Sequence, residues 1–476
     1  MKKSFDLIVI GLGSAGLTLS MSMAKAGFKV LGIDLSDQNI GGDCLNYGCI
    51  PSKALIHVSH QIHQARQAQQ YGLDLSGKVD FAQVKAHIQA SQDILRTHEN
   101  AAYLQEQGIE VVLGRARFVG LHEVAVGDQV FSGKKIAITT GSRPRALAVP
   151  GLEQVQQLHS NETIFSLDRV PDHLLVVGTG PIACELGQAF QRLGSKVSIV
   201  NRGARILTRE PLEMAEVVAK QMEKEGVTFF HQTEIRRFLS PHQVEIQPQG
   251  QSSQILHFDA VLVAIGQVAD FSEMGLEAAG VQTDESGQLI VNDRLQTSVP
   301  HIFAAGDAAG KGQFSHLAAE HASIILSNFF LPFKSKVGRN PIPSVTFTDP
   351  EIATFGHKPH ELDKKGIPYF TLTHAFTHGH RAAVNNYTDH KMVVYLKKGR
   401  LPLLGEKILG GTIVAPRAGE MVQEFIMAQS RGMSFLGIMG TIHPYPSATN
   451  DAKAAFLDHV IAKIGPGLKK WLRRLY

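Results

Sequence analysis

The chain has 476 residues, a formal net charge of +4, 43% hydrophobic and 19% charged residues, and three cysteines. That length suits about three domains at roughly 100–200 residues each, with a core that needs no disulfide staples. So few cysteines exclude a small secreted disulfide scaffold, and a slight positive balance spread along the chain argues against nucleic acid as a partner.

The start, Met1-Lys2-Lys3, turns apolar as a signal peptide does. Asp6 and the glycines at 11, 13 and 16 interrupt that run, and no small-residue cleavage site follows. No stretch reaches the roughly 20 apolar residues of a membrane span, so the expected location is the cytoplasm. Residues 5–10 have the character of a buried strand. Gly11-Leu-Gly13-Ser14-Ala-Gly16 follows, then a helical stretch to Ala26, then a strand from Lys29 to Ile33 that ends at Asp34.

The same order returns later. Leu174 to Val177 reads as a strand, Gly178-Thr-Gly180-Pro-Ile-Ala183 as a turn, the stretch through Glu185 to about Leu193 as a helix, and Lys196 to Val200 as the next strand. Two such units suit two nucleotide-binding domains of one α/β chain. Between them, residues 52–107 read as helical with a break near Tyr71 to Asp80, before a strand-rich stretch that ends at Thr140-Gly141. A strand from Ala260 to Ile265 precedes Gly266, and Ile302-Phe-Ala-Ala-Gly306-Asp307 is a strand ending in Gly-Asp. The prolines within 332–343 mark a connector, and about 340–476 reads as a third, mixed domain.

A lone G-x-G-x-x-G is a weak signal, but the first one has a strand before it, a helix after it and an acid at the end of the next strand. Gly11 makes the tight turn, Gly13 lets the backbone approach a pyrophosphate, and Gly16 lets the helix pack close, with its N-terminus facing the phosphates. Asp34 suits a ribose hydroxyl. The alternative is a tight turn without a ligand.

Cys44-Leu-Asn-Tyr-Gly-Cys49 is the decisive segment. On an ideal helix, residues five apart have Cα atoms roughly 8–9 Å apart, whereas a disulfide wants about 5.5 Å. Bridging needs a locally distorted turn, which Gly48 permits, and a bond made that way is reducible. The alternative is two unrelated thiols. Cys184, inside the second helix, reads as a buried small hydrophobe. The cysteines cannot complete a four-cysteine zinc site, and no resident metal is expected.

The run Gly41-Gly42-Asp-Cys44-Leu-Asn-Tyr-Gly-Cys49-Ile-Pro-Ser-Lys53 resembles the active-site signature of the pyridine nucleotide–disulfide oxidoreductases, the family of dihydrolipoamide dehydrogenase, glutathione reductase and mercuric reductase. Thr140-Gly141-Ser142, Gly306-Asp307, Val345-Thr-Phe-Thr-Asp-Pro-Glu351 and Gly419-Glu-Met-Val-Gln-Glu424 resemble further family elements in the same order. The resemblance implies an α/β fold with two Rossmann-like three-layer domains and an α+β dimerisation domain, assembled as a homodimer. It implies FAD on 1–148 and 270–332, NAD(P)H on 149–269, and an interface domain over 340–476. The flavin set is Gly11, Gly13, Ser14, Gly16, Asp34, Gly42, Lys53, Thr140, Gly141, Gly306 and Asp307. The nicotinamide nucleotide set is Gly178, Gly180, Ala183, Arg202 and Gly266. Cys49 is then the flavin-proximal sulfur and Cys44 the sulfur that exchanges with substrate. Lys53 and Glu185 match the family's ion pair beside the reactive edge of the flavin, where a cation favours negative charge on the reduced ring.

Several positions depart from the family. The second strand ends at Val200-Asn201-Arg202, with Arg205 close by and no acid for ribose hydroxyls, which favours NADPH. Pro181 stands where glutathione reductase has a tyrosine, and Ala264 to Asp270 matches A-x-G-R-x-P-N only in part. The family's His-x-His-Pro-Thr-x-x-Glu is here His443-Pro-Tyr445-Pro446-Ser447-Ala-Thr-Asn450. Aligned on Pro446, Tyr445 takes the place of the base and Asn450 that of its orienting acid. A phenol, with a reference pKa of about 10, is a poor base at neutral pH; His443 is the other candidate. No cysteine follows Cys184, which argues against efficient Hg(II) handling.

His374, His378 and His380 read as solvated loop histidines, with a weak metal site as the alternative. The tail from Leu468 to Tyr476 places Leu468, Trp471, Leu472 and Leu475 on one helical face opposite Lys and Arg, a basic amphipathic helix suited to packing on protein or to weak membrane-surface contact. The expected activity passes electrons from NAD(P)H through FAD and the Cys44–Cys49 disulfide to a small-molecule or protein disulfide. Two rivals are a flavin-direct reductase of quinone or metal ions, and a redox or metal sensor.

Overall fold

The computed structural model describes residues 3–338, 341–387, 389–399, 406–465, 469–470 and 473–474. The apolar face expected of the basic tail, Leu468, Trp471, Leu472 and Leu475, lies outside the described residues. The chain divides into two compact units: Met1–Gly178, Arg192–Val200 and Thr233–Arg339 form one, and Thr179–Gln191, Asn201–Gln232 and Asn340–Tyr476 form the other.

In the first unit, β1 (Lys3–Ile10), β2 (Val30–Asp34), β3 (Ile109–Leu113), β4 (Ala116–Gly120), β5 (Glu123–Val126) and β6 (Gln129–Ile138) form a sheet in the order β3-β2-β1-β6-β5-β4, with Ile302–Ala304 also paired to β6. The pairs around β1 and β2 and the Ile302–Ala304 pair are parallel, whereas β4-β5-β6 is an antiparallel meander. Leu7, Ile8, Val9 and Ile10 are buried in succession, so β1 is covered on both faces, as an unbroken apolar run in a parallel sheet requires. Between β1 and β2 lies α1 (Ser14–Lys25), which buries Ala15, Gly16, Leu19, Ser20 and Met23, one face at helical spacing.

A short helix, α2 (Gly42–Asn46), lies outside and precedes the expected helical stretch, which is α3 (Cys49–Gln67), α4 (Phe81–Arg96) and α5 (Ala101–Glu106). Its break falls where expected, and Asp80 ends it by accepting a hydrogen bond from the Ala82 amide at 3.0 Å, the N-cap of α4. A second parallel sheet in this unit runs Lys196–Val200, His173–Val177, Ala260–Val263 and Leu158–His159. An antiparallel trio, Thr233–Ser240, Gln243–Pro248 and Gln254–His257, accompanies it.

The second unit holds an antiparallel sheet of Ser344–Thr346, Glu351–Gly356, Ile408–Ala415, Lys391–Lys397 and Tyr369–Ala375. The helix Ala418–Ser430 buries Ala418, Met421, Val422, Phe425 and Ala428 at helical spacing. Aromatic rings join this helix to the sheet and to the helix Ala448–Lys463: the Phe355–Phe425 centroids lie 5.4 Å apart and the Phe425–Phe456 centroids 6.1 Å apart. No helix among the described residues is long and apolar enough to cross a membrane.

Candidate active site

The first glycine turn is built on steric need. Gly11 has φ +97°, its amide donates to the Ile33 carbonyl at 2.8 Å, and a Cβ there would lie 2.5 Å from the Thr139 carbonyl oxygen. A Cβ on Gly16 would lie 1.9 Å from the Gly11 carbonyl oxygen. Gly13 precedes α1 with no side-chain cap, so the first amides of the helix keep their donors for a ligand. Gly42 faces it: a Cβ on Gly42 would lie 2.7 Å from Gly13 Cα. Asp34 accepts from the Leu12 amide at 2.6 Å and the Leu35 amide at 2.7 Å, and burial pushes its carboxyl above the usual range.

Farther along this unit, Thr140 is exposed and Gly141 has φ +70°. The Ser142 hydroxyl donates to Asp307 Oδ2 at 2.5 Å, and Gly306, with φ +66°, donates its amide to His321 Nδ1 at 3.2 Å. Burial lowers the His321 imidazole to about 4, so it is neutral, and its Nε2 is buried without a hydrogen-bond partner among the described residues. The uncapped helix start, the close backbone approach of Gly42 to Gly13 and the orphaned imidazole nitrogen together fit a flavin dinucleotide.

The cysteine segment shows the distorted turn expected of it. Cys44 lies in α2 and Cys49 begins α3. Between them, Gly48 has φ −114° and ψ −105°, and its amide joins that of Tyr47 in donating to the Asp43 carbonyl, at 2.6 and 2.9 Å. A Cβ at position 48 would lie 2.6 Å from Asp43 Oδ2 and 3.0 Å from the Asp43 carbonyl oxygen, so a larger residue crowds this turn. Both cysteines are thiols and hydrogen-bond to each other. That bond, then desolvation and the nearby Cys49 and Glu99 charges, push the Cys44 thiol up, while the Ser315 hydroxyl opposes the rise. Ser315 Oγ lies 3.2 Å from Cys49 Sγ. Lys53, one turn into α3, donates from Nζ to Ser52 Oγ at 3.3 Å.

Asp43 has an exposed edge, yet desolvation by the surrounding protein pushes its carboxyl up to about 7, with further contributions from Cys49, Asp307 and Glu162. Asn161 Nδ2 donates to its Oδ1 at 3.1 Å and opposes that rise. Beside Cys44 a cleft of about 290 Å³, partly open to solvent, is lined by Leu17, Leu45, Ile50, Leu95 and Glu99 among others.

The second glycine turn repeats the steric logic in part. Gly178 has φ +121°, and a Cβ there would lie 2.3 Å from the Ala264 carbonyl oxygen; a Cβ on Gly180 would meet nothing within 4 Å. Gly266 is exposed with φ +106°. Ala183 and Cys184 are fully buried, the latter as a small apolar residue whose thiol burial pushes up.

In the second unit, Glu185 is 5% exposed and its Oε1 accepts the Phe347 amide at 2.8 Å, while Gln188 Oε1 accepts the Asp349 amide at 2.8 Å. Arg205 donates to the carbonyls of Ile206, Leu207, Thr208 and Glu210, which makes it a loop staple, whereas Arg202 is exposed. Asn201 bonds the Gly203 carbonyl at 2.8 Å and His231 Nδ1 at 2.7 Å.

Near the C-terminus, His443 Nε2 lies 2.9 Å from Glu424 Oε2, and its Nδ1 lies 3.1 Å from the Thr441 carbonyl oxygen. Tyr445 is 69% exposed and its hydroxyl lies 3.0 Å from His380 Nδ1. The Asn450 amide donates to Ser447 Oγ at 3.2 Å, a helix cap. His374 ends a strand within 4.0 Å of Asp458. Among the described residues no group of three or more His, Cys, Asp or Glu is placed to hold a metal ion.

Sequence reasoning missed Ser315, Asn161, Glu99 and the roles of Asp43 and Glu424. Ser315 stands 266 positions from Cys49 and Asn161 stands 118 from Asp43, so no spacing rule links them. Asp43 alone carried a signal, an acid beside a redox cysteine.

Residues 5–322 match the family described as pyridine nucleotide-disulphide oxidoreductase, and residues 342–456 match its dimerisation domain. The chain is 30% identical to a mercuric reductase of Lysinibacillus sphaericus, over 95% of this chain and 82% of that one. It is 32% identical to a dihydrolipoyl dehydrogenase of Thermus scotoductus, over 94% of this chain and 95% of that one. Among solved structures, it resembles the Cu(II) complex of the HOCl-induced flavoprotein disulfide reductase RclA from Escherichia coli, with TM-score 0.84 and 26% identity over 96% of this chain and 99% of that one.

Proposed function

The chain belongs to the pyridine nucleotide-disulphide oxidoreductase family, and from that premise we propose that Cys44 and Cys49 are its redox pair. The protein is an FAD-dependent NAD(P)H:disulfide oxidoreductase that dimerises through its C-terminal domain. FAD, when bound, supplies two-electron exchange between the nicotinamide and the dithiol. Gly11, Gly13, Ser14, Gly16, Asp34, Gly42, Lys53, Thr140, Gly141, Gly306 and Asp307 are the residues proposed to hold it, on 1–148 and 270–332. Gly178, Gly180, Ala183, Arg202 and Gly266 are proposed to hold the nicotinamide nucleotide on 149–269, with 340–476 as the interface domain. We place the protein in the cytoplasm.

One observation carries the reading: two free thiols on successive helices, Cys44 lining a cleft and Cys49 set against the Ser315 hydroxyl at 3.2 Å. Cys44 faces that cleft and is proposed as the exchanging thiol; Cys49, held by Ser315, is the internal one. Lys53 and Glu185 are proposed to flank the reactive edge of the flavin. NADPH is the proposed donor, because Asn201 stands where an acid would repel a phosphate and exposed Arg202 supplies a cation. Both ring nitrogens of His443 are engaged, which favours a structural role for it. Tyr445 then offers a hydrogen bond where the family has its base, which suits an acceptor whose leaving thiol is acidic.

A second reading, transfer directly to a metal ion, is favoured by the solution of the Escherichia coli relative as a Cu(II) complex. One experiment separates the two. The purified protein is titrated anaerobically with NADPH and, separately, NADH while a long-wavelength thiolate–flavin band is followed. The redox-pair reading expects the band in wild type and in Cys44→Ser, its loss in Cys49→Ser, and loss of disulfide turnover in both variants. Undiminished turnover of every acceptor by Cys44→Ser overturns it.

A further inference from the structure

We propose that the cleft beside Cys44 admits a small disulfide carrying a cationic group, and that Glu99 is the residue that selects it. This rests on the reading of Cys44 as the exchanging thiol. The cleft is partly open to solvent, so it receives one arm of a small ligand rather than enclosing the whole molecule. Its walls are apolar, formed by Leu17, Leu45, Ile50 and Leu95, and the ionisable residues lining it are Cys44 and Glu99. A pocket with this lining binds an aliphatic arm by burial and reads its charge at one point.

Glu99 packs closely against Gly41. Its Oε2 lies 2.6 Å from where a Cβ on Gly41 would stand, and Gly41 has φ +94°, so only glycine leaves room for the carboxylate there. The neighbouring cation, Arg96, does not line the cleft: its guanidinium donates to Asn46 Oδ1 at 2.6 Å and to the Gln38 carbonyl at 3.3 Å. Glu99 is therefore the acidic side chain that a ligand in the cleft meets. Glu99 is also close enough to Cys44 to help push its thiol up. A substrate ammonium group seated against Glu99 offsets that effect as it binds, so a cationic disulfide both docks and eases ionisation of the attacking thiol. A carboxylate-bearing disulfide meets repulsion from Glu99 and, once formed, from the thiolate.

The chemistry balances. The Cys44 thiolate attacks one sulfur of the substrate, the substrate S–S bond breaks, and the first thiol leaves with a proton. Cys49 then attacks Cys44, releases the second thiol and restores the Cys44–Cys49 disulfide. NAD(P)H and one proton return the pair to dithiol, so one NAD(P)H and one H⁺ reduce one disulfide to two thiols.

The test measures kcat/KM of the flavin-loaded enzyme with cystamine, 2-hydroxyethyl disulfide and 3,3′-dithiodipropionate, which carry cationic, neutral and anionic ends. The expected order is cationic, neutral, anionic. The cationic-to-anionic ratio should fall about tenfold in Glu99→Gln, invert in Glu99→Lys, and shrink in wild type as salt rises from about 20 mM to about 500 mM. Melting temperature and flavin content check that the variants fold, and the salt series needs no variant. An anionic preference, a ratio unmoved by both substitutions and salt, or no turnover of any of the three overturns the proposal. The redox-pair reading is judged separately, by whether two titratable thiols appear per NADPH consumed.

Discussion

The hydroxyl of Ser315 lies 3.2 Å from Sγ of Cys49, across 266 positions of chain. The same hydroxyl lowers the cost of ionising Cys44, so it serves both sulfurs. An O–H beside a sulfur that must carry negative charge stabilises that charge. Ser315→Ala should therefore weaken the thiolate–flavin band, raise the pH at which it forms, and slow disulfide turnover roughly fivefold, the loss of about 1 kcal/mol of hydrogen bonding. Ser315→Thr, which keeps the hydroxyl, should recover most of the band. A band identical in the alanine variant removes Ser315 from the mechanism.

Asp43 supplies a pH signature. Its carboxyl in the folded protein is pushed up to about 7 from an ordinary 3.8, chiefly by desolvation. The folded state thus keeps a proton that the unfolded state gives up, and the stabilisation is fully present below the unfolded value and lost as pH rises through about 7. Asp43→Asn removes this loss. In flavin-free protein the variant should gain melting temperature over wild type at about pH 8 and much less at about pH 5. Equal differences at both pH values contradict the assignment.

The two glycines of the first turn should fail in different ways. A methyl on Gly16 meets the Gly11 carbonyl at 1.9 Å, a backbone clash with no flexible partner to yield. Gly16→Ala should cost about 3 kcal/mol or more and deplete folded protein. A methyl on Gly13 meets Gly42 Cα at 3.4 Å, close to ordinary contact. Gly13→Ala should melt near wild type without flavin yet retain less flavin on gel filtration, because the methyl enters the space proposed for the phosphates.

Arg202 is exposed, while Arg205 is spent on four loop carbonyls. Arg202→Ala should raise KM for NADPH about tenfold and leave KM for NADH nearly unchanged, the signature of one lost contact to a 2′-phosphate. Arg205→Ala should lower stability and affect both nucleotides alike. Equal effects of Arg202→Ala on both nucleotides count against NADPH as the donor.

The sequence by itself determined the parts of this protein that depend on near neighbours. The runs at 5–10 and 174–177 became strands, the glycines between each strand and helix became turns with positive φ at Gly11 and Gly178, and Cys44 and Cys49 met across a bend at Gly48. Each is a relation over a few residues, where sterics and helical or strand period leave few choices. Only the tertiary structure decided which distant groups face the cysteines and the candidate base. It set Ser315 against Cys49, Asn161 against Asp43, Glu99 in the cleft of Cys44, and Glu424 against His443. Those partners are chosen by how elements pack, and packing is a property of volume and contact that no local pattern of residues encodes.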